Sequence, residues 1–283
     1  MKKTMLVTLE CAGKSLSVGT GGELPLLGIS GIAAADFEVD IESGGSLDGG
    51  YISGARISQR AVTVSTHTGF ERPEELRSRL IRMFRPDVDT VVTVNRCGTV
   101  RWITGRCTEV RVTEENMYTP ARVEIYFVCP QPYFRDPDDF GEDIARHIDR
   151  TIIPFVIPRS GFVPAVLGQK SSVTLTNSGD VACGLRARIE ITGPVTAPAI
   201  INTVTGEHIR LLGDFAAGDV IEISTEPRAK SVRLNGRNIM HRLDRASAFF
   251  SLAVGENTVR YTADDGYGNM AMYIFFTPLY LGV

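Results

Sequence analysis

A mainly β fold in two modules is what these 283 residues predict. Three observations carry that expectation. Short runs alternate apolar and polar residues from one end of the chain to the other, glycine clusters separate many of them, and near the middle one alternating run, RVEIYFVC, stops at Pro130 and Pro132. Alternation at period two puts successive side chains on opposite faces of a strand. Glycine supplies turn angles that other residues avoid. Proline cannot donate to a ladder, so the run ending at Cys129 is cut off there. The break divides the chain into a first module at residues 1–135, a connector at 136–170 and a second module at 171–283.

In the first module, DFEVDIE places Phe37, Val39 and Ile41 on one face, and RAVTVST does the same for Val62 and Val64. Residues 19–22 and 44–50 are the main glycine-rich turns, the second long enough for a flexible loop. Short strands between such turns suggest a split barrel or β-sandwich-like module. PEELRSRLIRMF, residues 73–84, predicts its one helix: Pro73 suits a first turn, Glu74 and Glu75 sit at the positive end of the dipole, and Arg79 and Arg82 come late. Leu76, Leu80, Met83 and Phe84 form an apolar stripe, suited to the module's own sheet or to another subunit. TVVTVNRCGTVRWITGRCTEVRV, residues 90–112, reads as a β-hairpin, with Cys97 and Cys107 flanking its second strand.

The connector opens with DPDDFGED, residues 136–143, a solvated acidic stretch without the spacing of a calcium-binding loop. Beyond it, SSVTLTN, LRARIEIT, DVIEIST, SVRLNG, FFSLAV, NTVRYTA and MAMYIFF recur with short turns between them. Leu185, Ala187, Ile189 and Ile191 point one way, Arg186, Arg188 and Glu190 the other, as in a sheet with one buried and one wet face. A two-sheet jelly roll is the economical reading.

Composition narrows the function. With 43% hydrophobic and 22% charged residues the chain can bury two cores and predicts a soluble product. Its apolar runs, such as 152–157 and 270–276, fall short of the roughly 20 residues that span a bilayer. The start of the chain lacks an uninterrupted apolar core for a secretory signal, so synthesis in a cytoplasm is expected. A net charge of −3 argues against nucleic acid as a partner. Of 30 basic residues five are lysine, which leaves 25 arginines, a bias that fits either interface use or codon composition. Five cysteines include no Cys-x-x-Cys pair; a Cys97–Cys107 bridge is conceivable, but reduced, packed thiols suit a cytosolic product better.

Chemistry is sparse. His67, His147, His208 and His241 stand in no catalytic motif, and adjacent Asp264 and Asp265 sit in DDGYGN, which reads as a hairpin turn rather than a carboxylate pair. No enzyme activity, cofactor or metal is expected. The single tryptophan, Trp102, lies in the first module, which argues against a sugar-stacking platform in the second.

Helix 73–84, hairpin 90–112, strand 122–129 and Cys-Pro-x-Pro-Tyr, taken in that order, resemble the distal tail protein family of long-tailed phages. The likeness continues through LTNSGD (175–180), PAIINTVTGEHIRL (198–211), GDVIEIST (218–225), VRLNG (232–236) and GENTVRY (255–261), nearly the whole chain. The resemblance implies a galectin-like β-sandwich after an N-terminal ring-forming domain, although the His-x-Asn-x-Arg strand of galectins proper is missing and a host-surface glycan is not an expected partner. It implies a homohexameric ring at the virion tail tip, joining the tail tube protein to a tail-associated hub or lysin protein, with the tape-measure protein nearby. A prophage, bacteriocin or gene-transfer particle could use the same ring. A heterologous ring interface is expected within residues 1–135, with Arg77, Arg79, Arg82 and Arg85 as either contact or solvated face. The alternative reading is a carbohydrate-binding module or surface adhesin.

Overall fold

Period-two alternation becomes antiparallel sheet over most of the computed structural model, which describes residues 4–43, 45, 48–68, 73–114, 119–137, 140–143 and 172–283. His147, the 152–157 run and most of the expected connector lie outside the described residues. Two units form, Met1–Pro137 with Leu279–Val283, and Asp138–Pro278.

The first unit contains β1 (Met5–Cys11), β2 (Lys14–Gly19), β3 (Leu26–Ser30), β4 (Phe37–Ser43), β5 (Gly50–Ile57), β6 (Arg60–His67), α1 (Pro73–Met83), β7 (Asp89–Arg96), β8 (Thr99–Thr113), β9 (Arg122–Cys129) and β10 (Phe134–Arg135). Its main sheet runs β2, β1, β7, β8, β9, β6, β3. Alternate residues fill the core: Val7, Leu9, Val62, Val64, Val92, Val94, Val123, Ile125 and Phe127 are all buried. Full burial of such a side chain stabilises by about 1.5–3 kcal/mol. Leu80 and Met83 of α1 join the same core. Phe84, just past the helix, sets its ring edge-on to Phe127 with centroids 5.7 Å apart. The helical stripe thus packs on its own sheet. β7 and β8 turn at Cys97 and Gly98, both at positive φ, 53° and 97°. Two left-handed residues match the twist of the flanking strands. β8 is longer than expected and carries Cys107 in its interior, at a register shift against β9.

The second unit contains β11 (Phe140–Asp143), β12 (Ser172–Asn177), β13 (Leu185–Ile191), β14 (Val195–Thr196), β15 (Ala199–Asn202), β16 (His208–Arg210), β17 (Asp214–Phe215), β18 (Val220–Ser224), β19 (Ser231–Leu234), β20 (Arg237–Asn238), β21 (Gly255–Thr262) and β22 (Met270–Phe276). One sheet runs β11, β22, β13, β18, β19, β20; another runs β12, β21, β15, β16; β14 and β17 form a short pair. β13 alternates as expected, with Leu185, Ala187, Ile189 and Ile191 buried. Two local expectations change. Among the described residues FFSLAV forms only a single bridge, Cys183 to Leu252, although Phe250 and Leu252 are buried. DDGYGN joins β21 and β22, which lie in different sheets, so it is a crossover rather than a hairpin turn. Gly266 makes that crossover at φ 72°, where a Cβ would stand 2.1 Å from the Pro194 carbonyl oxygen.

The last strand, β23 (Leu279–Tyr280), leaves the second unit and pairs with β10 in the first, Phe134 opposite Tyr280 and Arg135 opposite Leu279. The expected second module at 171–283 therefore ends early, because residues 281–283 are held by first-unit arginines. Arg60 Nη2 donates to the Leu281 carbonyl at 2.5 Å, Arg101 Nη1 to that of Gly282, and Arg96 Nη1 to the Val283 backbone oxygen at 2.8 Å. The Arg101 guanidinium also stacks 3.5 Å from the Tyr280 ring centroid. Gly282 lies so close to Ala33 that a Cβ would meet its backbone at 2.9 Å.

Candidate assembly interface

Among the described residues β4 and β5 pair only with each other, and they form a ribbon with two unlike faces. The register sets Phe37 opposite Ile57, Val39 opposite Ala55 and, past a bulge at Asp40/Ile41, Ile41 opposite Ile52. Directly opposed residues share a face, so one side is continuously apolar. The other is polar: Arg56 Nε donates to Glu38 Oε2 at 2.6 Å, and Tyr51 Oη to Glu42 Oε2 at 2.7 Å. The Arg56 partner holds the Glu38 carboxyl below its ordinary pKa, and the Glu42 hydrogen bond raises that of Tyr51. The apolar side stands in solvent, with Phe37 59%, Ile41 69% and Ile52 69% exposed. An isolated two-stranded hairpin is marginal in water, and a contiguous exposed apolar patch marks a contact surface. The sequence showed the alternation of β4; the bulge hid its match in β5, and nothing local revealed that the face stays open.

The expected interface residues all lie on or just after α1. Arg79 pairs with Glu23 at 2.8 Å and donates to the Ser15 carbonyl at 3.2 Å. Arg77 is 3.7 Å from Glu74, and Arg85 is 3.0 Å from Asp87. Arg82 Nε donates to the Ser78 carbonyl, one turn back, at 3.0 Å. These contacts are exposed and individually weak, each worth on the order of 0–1 kcal/mol. The four cations are not brought together on one target, and Ile81 among them is 53% exposed.

The histidines and acidic residues with chemical potential are dispersed. Asp264 is taken by Arg210, and the Asp265 carboxylate accepts from the Gly266 amide at 2.9 Å. His67 ends β6, His208 begins β16 at a sheet edge, and His241 sits in a single helical turn. Among the described residues no three His, Cys, Asp or Glu side chains are grouped to hold a metal ion. All five cysteines are free; Cys97 is exposed, and Cys11, Cys107, Cys129 and Cys183 are buried. Burial pushes the Cys107 and Cys129 thiols up to about 11 and that of Cys183 to about 12.

Comparison with known proteins covers both units. Residues 178–280 match the family of the siphovirus-type tail component, C-terminal domain. No curated protein sequence matches the chain. Among solved structures, SPP1 Dit (gp 19.1), described as a paradigm of the hub adsorption apparatus in phages infecting Gram-positive hosts, aligns with a TM-score of 0.69 at 15% identity, over 96% of this chain and 98% of that one. A chain of the phage P2 baseplate in its activated conformation with calcium aligns with a TM-score of 0.55 at 10% identity, over 98% of both chains. The strontium form of that baseplate gives 0.53 at 10% identity over the same shares. Residues 178–280 thus match the siphovirus-type tail component, C-terminal domain, in a chain that shares the fold of SPP1 Dit along nearly its whole length.

Proposed function

We propose that this chain is a structural component of a phage or phage-derived tail, building a homohexameric ring at the tail tip between the tail tube protein and a tail-associated hub or lysin protein. The observation that carries the reading is the open apolar face of the β4–β5 ribbon. A ring needs a heterologous contact that repeats around an axis, and a ribbon that projects an uncovered apolar side supplies one half of it. The family match over 178–280 and the likeness to hub and baseplate chains support the same setting. The helix arginines Arg77, Arg79, Arg82 and Arg85 are proposed as a secondary contact, since exposed ion pairs can be exchanged across an interface at little cost. The two antiparallel sheets of the second unit support a galectin-like sandwich serving as a contact surface, and the role is architectural rather than catalytic.

The test is solution mass and electron microscopy of the purified chain, alone and with its tail tube and hub partners. Wild type is expected to form sixfold rings. Ile41→Asp/Ile52→Asp is expected to stay monomeric while keeping its melting temperature. Rings that persist in that variant would remove the ribbon from the interface, and rings that persist in Arg79→Glu/Arg82→Glu would remove the helix.

A further inference from the structure

Asn-Gly occurs once in the chain, at Asn235–Gly236, where it forms the exposed turn between β19 and β20. Both residues are left-handed, with φ 49° and 80°, and Leu234 lies opposite Arg237 across them. Such a pair suits a two-residue hairpin turn. It also leaves the asparagine open to attack by its own backbone, because glycine puts no Cβ beside the incoming nitrogen.

The Asn235 side chain is held by both of its polar atoms. Its Oδ1 accepts from the Val220 amide at 2.9 Å, and its Nδ2 donates to Asp219 Oδ1 at 2.9 Å. The Asn235 amide donates to the Val220 carbonyl at 2.9 Å, so side chain and backbone together continue the β18–β19 ladder past Leu234. Asp219 is fixed in turn: its Oδ2 accepts from the Ala216 amide at 3.0 Å, and its carbonyl from the Ile191 amide at 2.9 Å. The Gly236 amide stands apart. Among the described residues it donates to no partner, and a Cβ at Gly236 would meet nothing within 4 Å.

These contacts favour an intramolecular acyl transfer. The Gly236 nitrogen bonds to Asn235 Cγ, while the Val220 amide donates to Oδ1, where negative charge develops as that carbonyl becomes tetrahedral. The Cγ–Nδ2 bond then breaks. Nδ2 leaves as ammonia with the proton that the Gly236 nitrogen gives up, and a succinimide ring remains. Water opens either ring carbonyl, to aspartate or to isoaspartate, and restores the N–H.

We propose that Asn235 is a self-modifying site, at which this deamidation turns the hydrogen bond to Asp219 into repulsion between two carboxylates. The product has no proton to offer Asp219 Oδ1, and like charges at that distance disfavour one another. Isoaspartate also adds a methylene to the backbone and shifts the turn. In both products the hold on β20, the last strand of the larger sheet, is weakened and the edge of β19 opens. Asn238, exposed and three residues on, is an internal contrast: it precedes Ile239, whose branched side chain crowds the same attack.

The experiment incubates the full chain in mildly alkaline buffer, folded and, as a control, unfolded in urea. Tryptic mass mapping reads deamidation at each asparagine, and isoaspartyl methyltransferase labelling reads isoaspartate. In the folded chain Asn235 is expected to convert ahead of every other asparagine, and the aged sample to show a lowered melting transition for the second unit. Asn235→Asp is expected to show that lowering without incubation, and Asn235→Asp/Asp219→Asn to recover most of it. The assignment is overturned if folded Asn235 keeps its amide over the time in which the unfolded chain loses it, if Asn238 or another asparagine converts first, if Asn235→Asp melts like wild type, or if Asp219→Asn brings no recovery.

Discussion

Arg60 shows how far one side chain can be committed to structure. It is 3% exposed, and its guanidinium donates to the carbonyls of Pro132, Gly31, Ala33 and Leu281 at 2.5–2.6 Å, with its Cζ 5.0 Å from the Phe134 ring centroid. Burial pulls its pKa down, but an arginine stays charged in a protein, so the carbonyl dipoles must hold a cation. Charge-assisted hydrogen bonds contribute about 1.5–3 kcal/mol each, and unpaired buried carbonyls cost more than the bonds gain. Arg60→Met is therefore expected to lower first-unit stability by about 3 kcal/mol or more in urea unfolding, with faster amide exchange at Val283. The cysteines give a second expectation at this scale. A thiol-specific label at pH 8 should modify Cys97 alone in the folded chain and all five after unfolding. The thiols of Cys107, Cys129 and Cys183 have folded pKa values raised above the ordinary value of 9.0. Their contribution is fully present below pH 9 and is lost as pH rises through about 11–12. The melting temperature should fall over that window, and less steeply in Cys183→Ala.

Among the elements, those with a covered face were the legible ones. β6, β9 and β13 alternate because one side meets a core, and α1 announces itself by Pro73, its early glutamates and its apolar stripe. Where tertiary placement decides, local pattern fell short. β4 alternates as cleanly as β6, yet Val64 is buried and Ile41 is 69% exposed. FFSLAV has strand composition but, among the described residues, joins a ladder at Leu252 alone. The candidate site divides the same way: the arginines of α1 were visible as a charged face, whereas the ribbon's apolar side required the pairing of two strands across a bulge. Arg79→Glu breaks only exposed contacts, the pair with Glu23 and the hydrogen bond to the Ser15 carbonyl, so its expected cost to folding is about 1 kcal/mol in the monomer. A larger loss on denaturant unfolding would mean that the pair does more than its exposure suggests.

At the scale of the molecule, the prolines at 130 and 132 end the strand β9, and the first unit runs on past them. The chain continues through β10 to Pro137 and returns at Leu279. Pro278 marks a break after β22, but nothing local says which sheet LYLGV joins; what draws it back is the ladder with β10 and three arginines that come from distant segments. Removing Leu279–Val283 is expected to lower the melting transition of the first unit while leaving that of the second in place, which calorimetry would resolve as one moved peak and one unmoved. The departing and returning strands are adjacent rungs of one antiparallel ladder, Arg135 beside Leu279. Residues 138–278 are therefore spliced between neighbouring points, like a cassette in a slot. A replacement whose own ends lie close together could be seated there without redrawing the host sheet, so evolution could exchange this cassette while the frame that receives it stays the same.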